Sequence, residues 1–246
     1  MTDILQVHQV QRRFGGLRAV DDVSFSVNQG DILGLIGPNG AGKTTLFNVL
    51  VGLHRSQHGR ITLQGHDVTR LRPHQIAARG MTKTFQNVAL FPEMTVLDNV
   101  LAGALLHSDV PQARQLAMAQ LERVGLGSIA HTLAADLSFP EQARVEMARA
   151  LCTRPRVLLL DEVMAALNVP EMDAMLALIR SLRDEDGITF IVVEHHMRAI
   201  MRLCNRIVVL SFGKKIAEGT PTEISTNPQV VEVYLGSSLQ NAQGHA

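Results

Sequence analysis

Apolar and polar residues alternate along Ile4–Val10 and again along Val23–Val27, which predicts two half-buried strands early in the chain. Gly30-Asp31 then turns into Ile32–Ile36, an unbroken apolar run that stops at Gly37 and reads as a buried strand. A glycine-rich loop follows, and the pattern from Thr44 to Val51 predicts a helix. Gly59–Leu63 reads as another strand of the β-rich start, Pro73–Arg79 as a short helix, and Thr82–Gln86 as a strand ending in a loop. From Thr95 to about Leu151 the period turns helical, with helices expected over Val96–Leu106, Gln112–Val124 and Glu141–Leu151. Arg156–Asp161 then reads as a buried strand, Glu171–Asp184 as a helix and Ile188–Glu194 as a second buried strand. Met197–Leu203 is helical in pattern, and Arg206–Leu210 with Lys215–Ala217 reads as a hairpin. The polar tail Ser237–Ala246 is expected to be disordered.

Apolar strands alternating with helices imply an α/β fold, with a mostly parallel sheet covered on both faces. Residues 1–87 and 156–236 are expected to form the core, with an antiparallel β layer at its start, and 88–155 an inserted helical subdomain. No internal repeat is present. The longest apolar runs, such as Val157–Leu160 and Ile207–Leu210, fall far short of the ~18–20 residues that cross a bilayer.

A chain of 246 residues can bury a sizeable core in one large domain. Its 23 basic and 23 acidic residues cancel, which removes the electrostatic case for a nucleic-acid partner. Cys152 and Cys204 fit no metal spacing and point to a reduced, cytosolic setting. Met1–Val10 lacks the charged-then-apolar layout of a secretory signal. A membrane role is therefore expected to run through a partner.

Two stretches carry chemistry. Gly37-Pro38-Asn39-Gly40-Ala41-Gly42-Lys43-Thr44, followed by Thr45, matches G-x-x-x-x-G-K-[ST] with a strand before it and a helix after. Glycine lets backbone N–H groups approach phosphates closely, and the helix start adds its positive dipole end. Lys43 would reach the terminal phosphates of ATP, and the Thr44 hydroxyl would hold Mg²⁺. The second stretch is Asp161-Glu162, at the end of an apolar strand. Phosphoryl transfer to water needs a carboxylate on the metal and a second group to orient the water, roles that suit Asp161 and Glu162 in that order. Ser138 with Glu141 has the spacing of a helix capping box, with Pro140 tolerated in the first turn. His195-His196 does not read as a metal pair, because adjacent residues at a strand end point opposite ways.

With these elements in place, the chain resembles the ATPase subunits of ABC transporters over nearly its whole length: a P-loop NTPase, RecA-like core with the β layer and helical insertion above. The resemblance implies a role for further residues. Phe14, in Arg13-Phe14-Gly15-Gly16, would stack on adenine, and Gln86, in Thr84-Phe85-Gln86, would touch metal and attacking water and relay to the membrane subunit. Leu137-Ser138-Phe139-Pro140-Glu141-Gln142 occupies the signature motif, so Ser138, Pro140 and Glu141 would complete the ATP site of a partner ATPase. Ala166-Leu167-Asn168 lies where the dimer-contacting loop belongs, and His195 matches the switch histidine at the γ-phosphate. A finer resemblance, to the branched-chain amino acid importer group, rests on Arg13–Val20, Thr84–Val100, Glu194–Met197, Ala217–Glu223 and Tyr234-Leu235-Gly236. That group implies amino acids, urea or other small amides as cargo, permease subunits, a second ATPase subunit, an extracytoplasmic solute-binding protein, and a place on the cytoplasmic face of the membrane.

The departures are specific. Pro140 replaces the usual signature glycine, Val163-Met164 follows the carboxylates where Pro-Ala is common, Ala166 replaces a glycine, and His196 stands where an acid is usual. Two rival readings are a nucleotide-gated interaction module with weak hydrolysis, which Pro140 keeps open and Glu162 and His195 argue against, and a soluble ABC ATPase acting on ribosomes or DNA. The latter commonly carries tandem ATPase domains or a coiled-coil insert, and this chain shows neither.

Overall fold

The structure, a computed structural model, describes residues 3–85 and 89–234. In chain order its first strands are β1 (Asp3–Phe14), β2 (Leu17–Asn28) and β3 (Ile32–Ile36), followed by α1 (Lys43–Leu50). Next come β4 (His58–Leu63), β5 (His66–Asp67), α2 (Pro73–Ala78) and β6 (Met81–Lys83). Three helices follow: α3 (Val96–Ala104), α4 (Val110–Arg123) and α5 (Phe139–Leu151). The remainder is β7 (Val157–Asp161), α6 (Val169–Asp186), β8 (Thr189–Val193), α7 (Met197–Leu203), β9 (Arg206–Ser211), β10 (Lys214–Gly219) and α8 (Pro221–Thr226). The chain forms two compact units, one of residues 1–73 and 189–246, the other of 74–188.

In the first unit, β2, β1, β4 and β5 make an antiparallel sheet in that order. The alternating pattern stops at Val10, yet β1 runs on to Phe14. Gly15, at φ +57°, closes a tight turn that lets Phe14 pair with Leu17, so backbone pairing carries polar residues that hydropathy alone leaves out. The same unit holds β3 in parallel contact with β8 on one side and β9 on the other, with β10 antiparallel to β9. Every residue of β3 and β8 is buried, which is why both read as continuous apolar runs.

Entry into β3 is fixed by side chains. The Asn205 amide oxygen accepts the Ile32 N–H at 2.7 Å, and its NH₂ donates to Asp31 at 2.8 Å. The other Asp31 oxygen accepts the Asn28 N–H at 3.0 Å. One asparagine thus sets where the central strand begins, five residues before the phosphate loop.

In the second unit β6 lies parallel to β7. Helices α3, α4 and α5 pack on one another. Gly103 is what lets α3 approach α5, since a Cβ there would sit 2.2 Å from the Arg149 carbonyl oxygen. The buried Asn99 side chain accepts the Phe91 N–H at 2.7 Å and donates to the Thr95 carbonyl at 3.0 Å, pinning the approach to α3. Arg123 of α4 reaches Glu185 of α6 at 2.8 Å.

Three helices, α4, α5 and α6, start two residues earlier than periodicity predicts. Periodicity starts α5 and α6 at Glu141 and Glu171, but these are the third helical residues, each answering a cap at Ser138 or Asn168 with a proline between. The same signal, Thr220 with Glu223, opens α8, which periodicity misses because the helix is short. The predicted strand Thr82–Gln86 is shorter, ending at Lys83, and Gln86 lies outside the described residues. The tail expected to be disordered also lies outside them. Among the described residues no helix is long and apolar enough to cross a membrane. Burial pushes the thiols of Cys152 and Cys204 up to about 12, which makes both inert core residues.

Asn205→Leu should strand the Ile32 N–H in the core and cost about 1–3 kcal/mol, read as a lower urea midpoint with unchanged slope.

Candidate active site

The phosphate loop begins where β3 ends. Its curvature is set by Gly42, at φ +101°, where a Cβ would meet the Ala19 carbonyl oxygen at 2.2 Å. Lys43 opens α1 and folds back, its ammonium donating to the Gly37 carbonyl at 2.8 Å and the Pro38 carbonyl at 3.1 Å. The loop is further held by Gly213, whose N–H donates to the Ala41 carbonyl at 3.0 Å. Helix α1 has no side-chain cap and no acid in its first turn. Its positive end and the N–H groups of its first turn therefore suit an anion. Asn39, Gly40 and Thr44 are exposed at the mouth, whereas Gly37, Ala41 and Lys43 are buried. Thr45 is half-buried in the first turn of α1. This cradle fits a nucleotide's phosphates on the geometry of glycine, lysine and helix end alone.

Tyr234, the only tyrosine in the chain, joins this loop. Burial pushes its phenol up to about 12, opposed by a hydrogen bond from the Gly37 N–H. The sequence flags Tyr234 only as part of a family-like ending; nothing local marks it as a neighbour of the loop, since it lies 197 positions along the chain from Gly37.

Other expected residues of the first unit are placed by neighbouring strands. β8 runs parallel to β3, so His195, two residues past β8, leaves the same carboxyl edge as the phosphate loop. His195 is exposed, and His196 stands at the start of α7. Phe14 ends β1 with its ring 40% exposed. The Arg12 guanidinium lies 4.5 Å from its centroid, and His54 meets it edge-on at 5.2 Å.

The second unit carries the carboxylates and the signature. Asp161 is the last residue of β7 and buried; Glu162 follows at φ +55°, a left-handed conformation that only the surrounding structure holds in a non-glycine residue. The Asp161 N–H donates to the Thr84 hydroxyl at 3.1 Å, and Lys83 Nζ lies 3.3 Å from Asp161 Oδ2. An aspartate oxygen and a threonine hydroxyl are hard donors of the kind Mg²⁺ takes alongside phosphates. Asn168 caps α6 through the Glu171 N–H at 3.0 Å, so the expected dimer-contacting loop ends in a fixed turn.

At the signature, Glu141 accepts the Ser138 N–H at 2.8 Å and the Ser138 hydroxyl at 2.6 Å. Those bonds hold its carboxyl below the usual range. Pro140 sits in the first turn of α5, where its missing N–H breaks no intrahelical bond but leaves one donor fewer at the helix end. Further along α5, Glu146 is buried and accepts the Phe85 N–H at 2.8 Å, while Arg149 donates to the Ala89 carbonyl at 2.8 Å. Burial raises the Glu146 carboxyl, opposed by that N–H and by Arg149 and Lys83. The signature helix is thus tied to the chain on both sides of residues 86–88. Sequence reading misses Lys83 and Glu146; for Glu146 an acid on an otherwise apolar helix face was the available signal, and Lys83 carries none.

Comparison with known proteins bears on all of this. The ABC transporter family matches residues 20–165, and the branched-chain amino acid ATP-binding cassette transporter family matches residues 214–239. The chain is 40% identical to the high-affinity branched-chain amino acid transport ATP-binding protein BraF of Pseudomonas aeruginosa, covering 96% of this chain and 98% of that one. It is 35% identical to the lipopolysaccharide export system ATP-binding protein LptB of Haemophilus influenzae, over 96% and 99%. A solved ATP-binding cassette in its ADP conformation superposes with a TM-score of 0.87 at 31% identity, covering 96% of this chain and 100% of that one. A dimeric cassette in a post-hydrolysis state bound to ADP and Pi gives a TM-score of 0.79 at 25% identity, over 88% and 98%.

Gly42→Ala should force the loop off the Ala19 carbonyl and strain the left-handed backbone by about 1–3 kcal/mol. Fluorescent-nucleotide titration should show binding lost, with far-UV circular dichroism unchanged.

Proposed function

The chain belongs to the ABC transporter ATP-binding family, and from that premise we propose that it powers an importer of branched-chain or other amino acids, or of small amides such as urea. As a member it is an ATP-hydrolysing cassette that drives transport. The observation that carries the amino-acid reading is the second match, at residues 214–239, added to full-length identity with branched-chain relatives. The likeness to LptB supports a second reading, coupling to an export system, which lacks that C-terminal match in its favour.

In the proposed mechanism two cassettes, this chain with a copy or a related ATPase, face each other head to tail. Lys43 and the N–H groups from Gly40 to Thr45 hold the terminal phosphates of ATP. Thr44, Asp161 and Gln86 would hold Mg²⁺, which would neutralise charge on the transferring phosphoryl group. Glu162 orients the attacking water and takes its proton. His195 steadies the γ-phosphate oxygens, and Phe14 carries the adenine. Ser138, Pro140 and Glu141 present the start of α5 to the ATP of the partner. Closure is passed to permease subunits beside Gln86, and an extracytoplasmic solute-binding protein delivers the cargo. With those partners the chain would work at the cytoplasmic face of the membrane.

Glu162→Gln should keep nucleotide affinity but lower turnover by about 10²–10⁴-fold. Size-exclusion with Mg-ATP should then show a dimer that wild type does not accumulate; a monomer in both would count against the paired-cassette reading.

Pro140→Gly restores an N–H toward the opposing phosphate. A hydrogen bond to a charged group is worth about 1.5–3 kcal/mol, so ATP-dependent dimerisation should tighten by roughly ten- to a hundredfold per site. An unchanged dimer constant with the helix intact would show that position 140 does not face phosphate.

A further inference from the structure

Lys83 is a buried cation that the mechanism above does not use. It ends β6, Asp161 ends β7, and the two strands run parallel, so both side chains emerge at one edge. Lys83 Nζ lies 3.3 Å from Asp161 Oδ2, with the lysine side chain 6% exposed and the aspartate side chain 0%. The same ammonium is 5.0 Å from the centroid of the Phe85 ring. It also acts electrostatically on the Glu146 carboxylate, which is buried and fixed by the Phe85 N–H.

An ionised carboxylate with no exposure needs a counter-charge, because leaving it alone in a low-dielectric setting is costly. Where Asp161 serves a metal, Mg²⁺ supplies that charge only while nucleotide is bound. In the interval another cation has to stand beside it. Lysine suits that role, because its ammonium is a compact point charge on a flexible four-carbon stem, with no planar fork to lock it in place. Phe85 and Glu146 give it a second resting place, a ring face and an anion, reached without leaving the protein.

We propose that Lys83 is a built-in counter-cation of Asp161, holding the carboxylate while no metal is present and yielding it to Mg²⁺ that arrives with nucleotide. This rests on Asp161 being the metal carboxylate. The competition makes metal binding depend on nucleotide: a divalent ion alone has to displace the ammonium, whereas an ion already neutralising phosphates brings its own ligands. Lys83 is thus a positioning residue for the metal step. A permanent structural ion pair would differ, since removing its lysine would weaken the fold and leave metal affinity untouched.

The test uses the full chain with Mn²⁺ as the probe, free Mn²⁺ being counted by electron paramagnetic resonance with and without ADP. Lys83→Met should bind Mn²⁺ without nucleotide at least about tenfold more tightly than wild type, because a like charge a few ångströms from the metal is gone. Lys83→Arg, which keeps the charge and adds a fork, should bind Mn²⁺ without nucleotide no more tightly than wild type. In EDTA, Lys83→Met should melt below wild type and recover on adding Mn²⁺ alone, a recovery wild type does not show. A folded Lys83→Met with unchanged Mn²⁺ affinity overturns the proposal. Should that variant not fold in EDTA, Lys83→Gln is measured against the same criteria, since its amide still donates to the carboxylate. Asp161→Asn separates premise from proposal. If it leaves Mn²⁺ binding in ADP unchanged, the metal assignment of Asp161 fails. If it weakens Mn²⁺ while loss of the Lys83 charge changes nothing, only the counter-cation role fails.

Discussion

Parallel strands buried on both faces can present chemistry only where they end. β3, β7 and β8 are apolar and enclosed along their length, so polar groups within them would have no water and few partners. The consequence is visible in both units. The phosphate loop follows β3, Glu194 and His195 follow β8, Asp161 closes β7, and Lys83 closes β6. Each of these segments begins at, or within two residues of, the end of a strand that gives it a fixed origin. The same constraint explains why the central strand's start is so carefully pinned by Asn205 and Asp31: a shift in β3 would carry the loop with it.

Charge at those ends is then managed by short-range pairing. Lys43 holds the carbonyls of its own loop, Lys83 sits against Asp161, and Arg149 against Glu146. Pairs this enclosed are weak contributors to net stability, but breaking one partner away is expensive. They serve better as devices that keep a geometry ready than as glue. Around the phosphate loop that readiness also depends on neighbours distant in sequence, the Gly213 N–H and the Tyr234 phenol, which converge on Ala41 and Gly37.

The apolar strands, the glycine loop and the paired carboxylates were legible in the sequence because each is a local pattern with one physical cause. Helix α7 was legible to the residue, from Met197 to Leu203. What local patterns missed depends on partners. β1 and β2 extend past their hydropathy because a ladder, once started, is continued by the turn at Gly15. Lys83, Glu146, Asn205 and Tyr234 look like ordinary surface or core residues until the fold brings to them partners from distant parts of the chain. Capping-box glutamates misled the helix starts by two residues, since the acid that signals a beginning lies inside the first turn.

Glu162 has a consequence beyond its proposed catalytic role. Its left-handed backbone, φ +55°, costs free energy for any residue with a Cβ, and a glycine there would relax it. Selection for stability alone would therefore drift away from glutamate at this position, and laboratory evolution toward thermostability would be expected to find that exchange early. If Glu162 has the proposed role, a carboxylate in such a conformation marks a place where folding and work pull against each other.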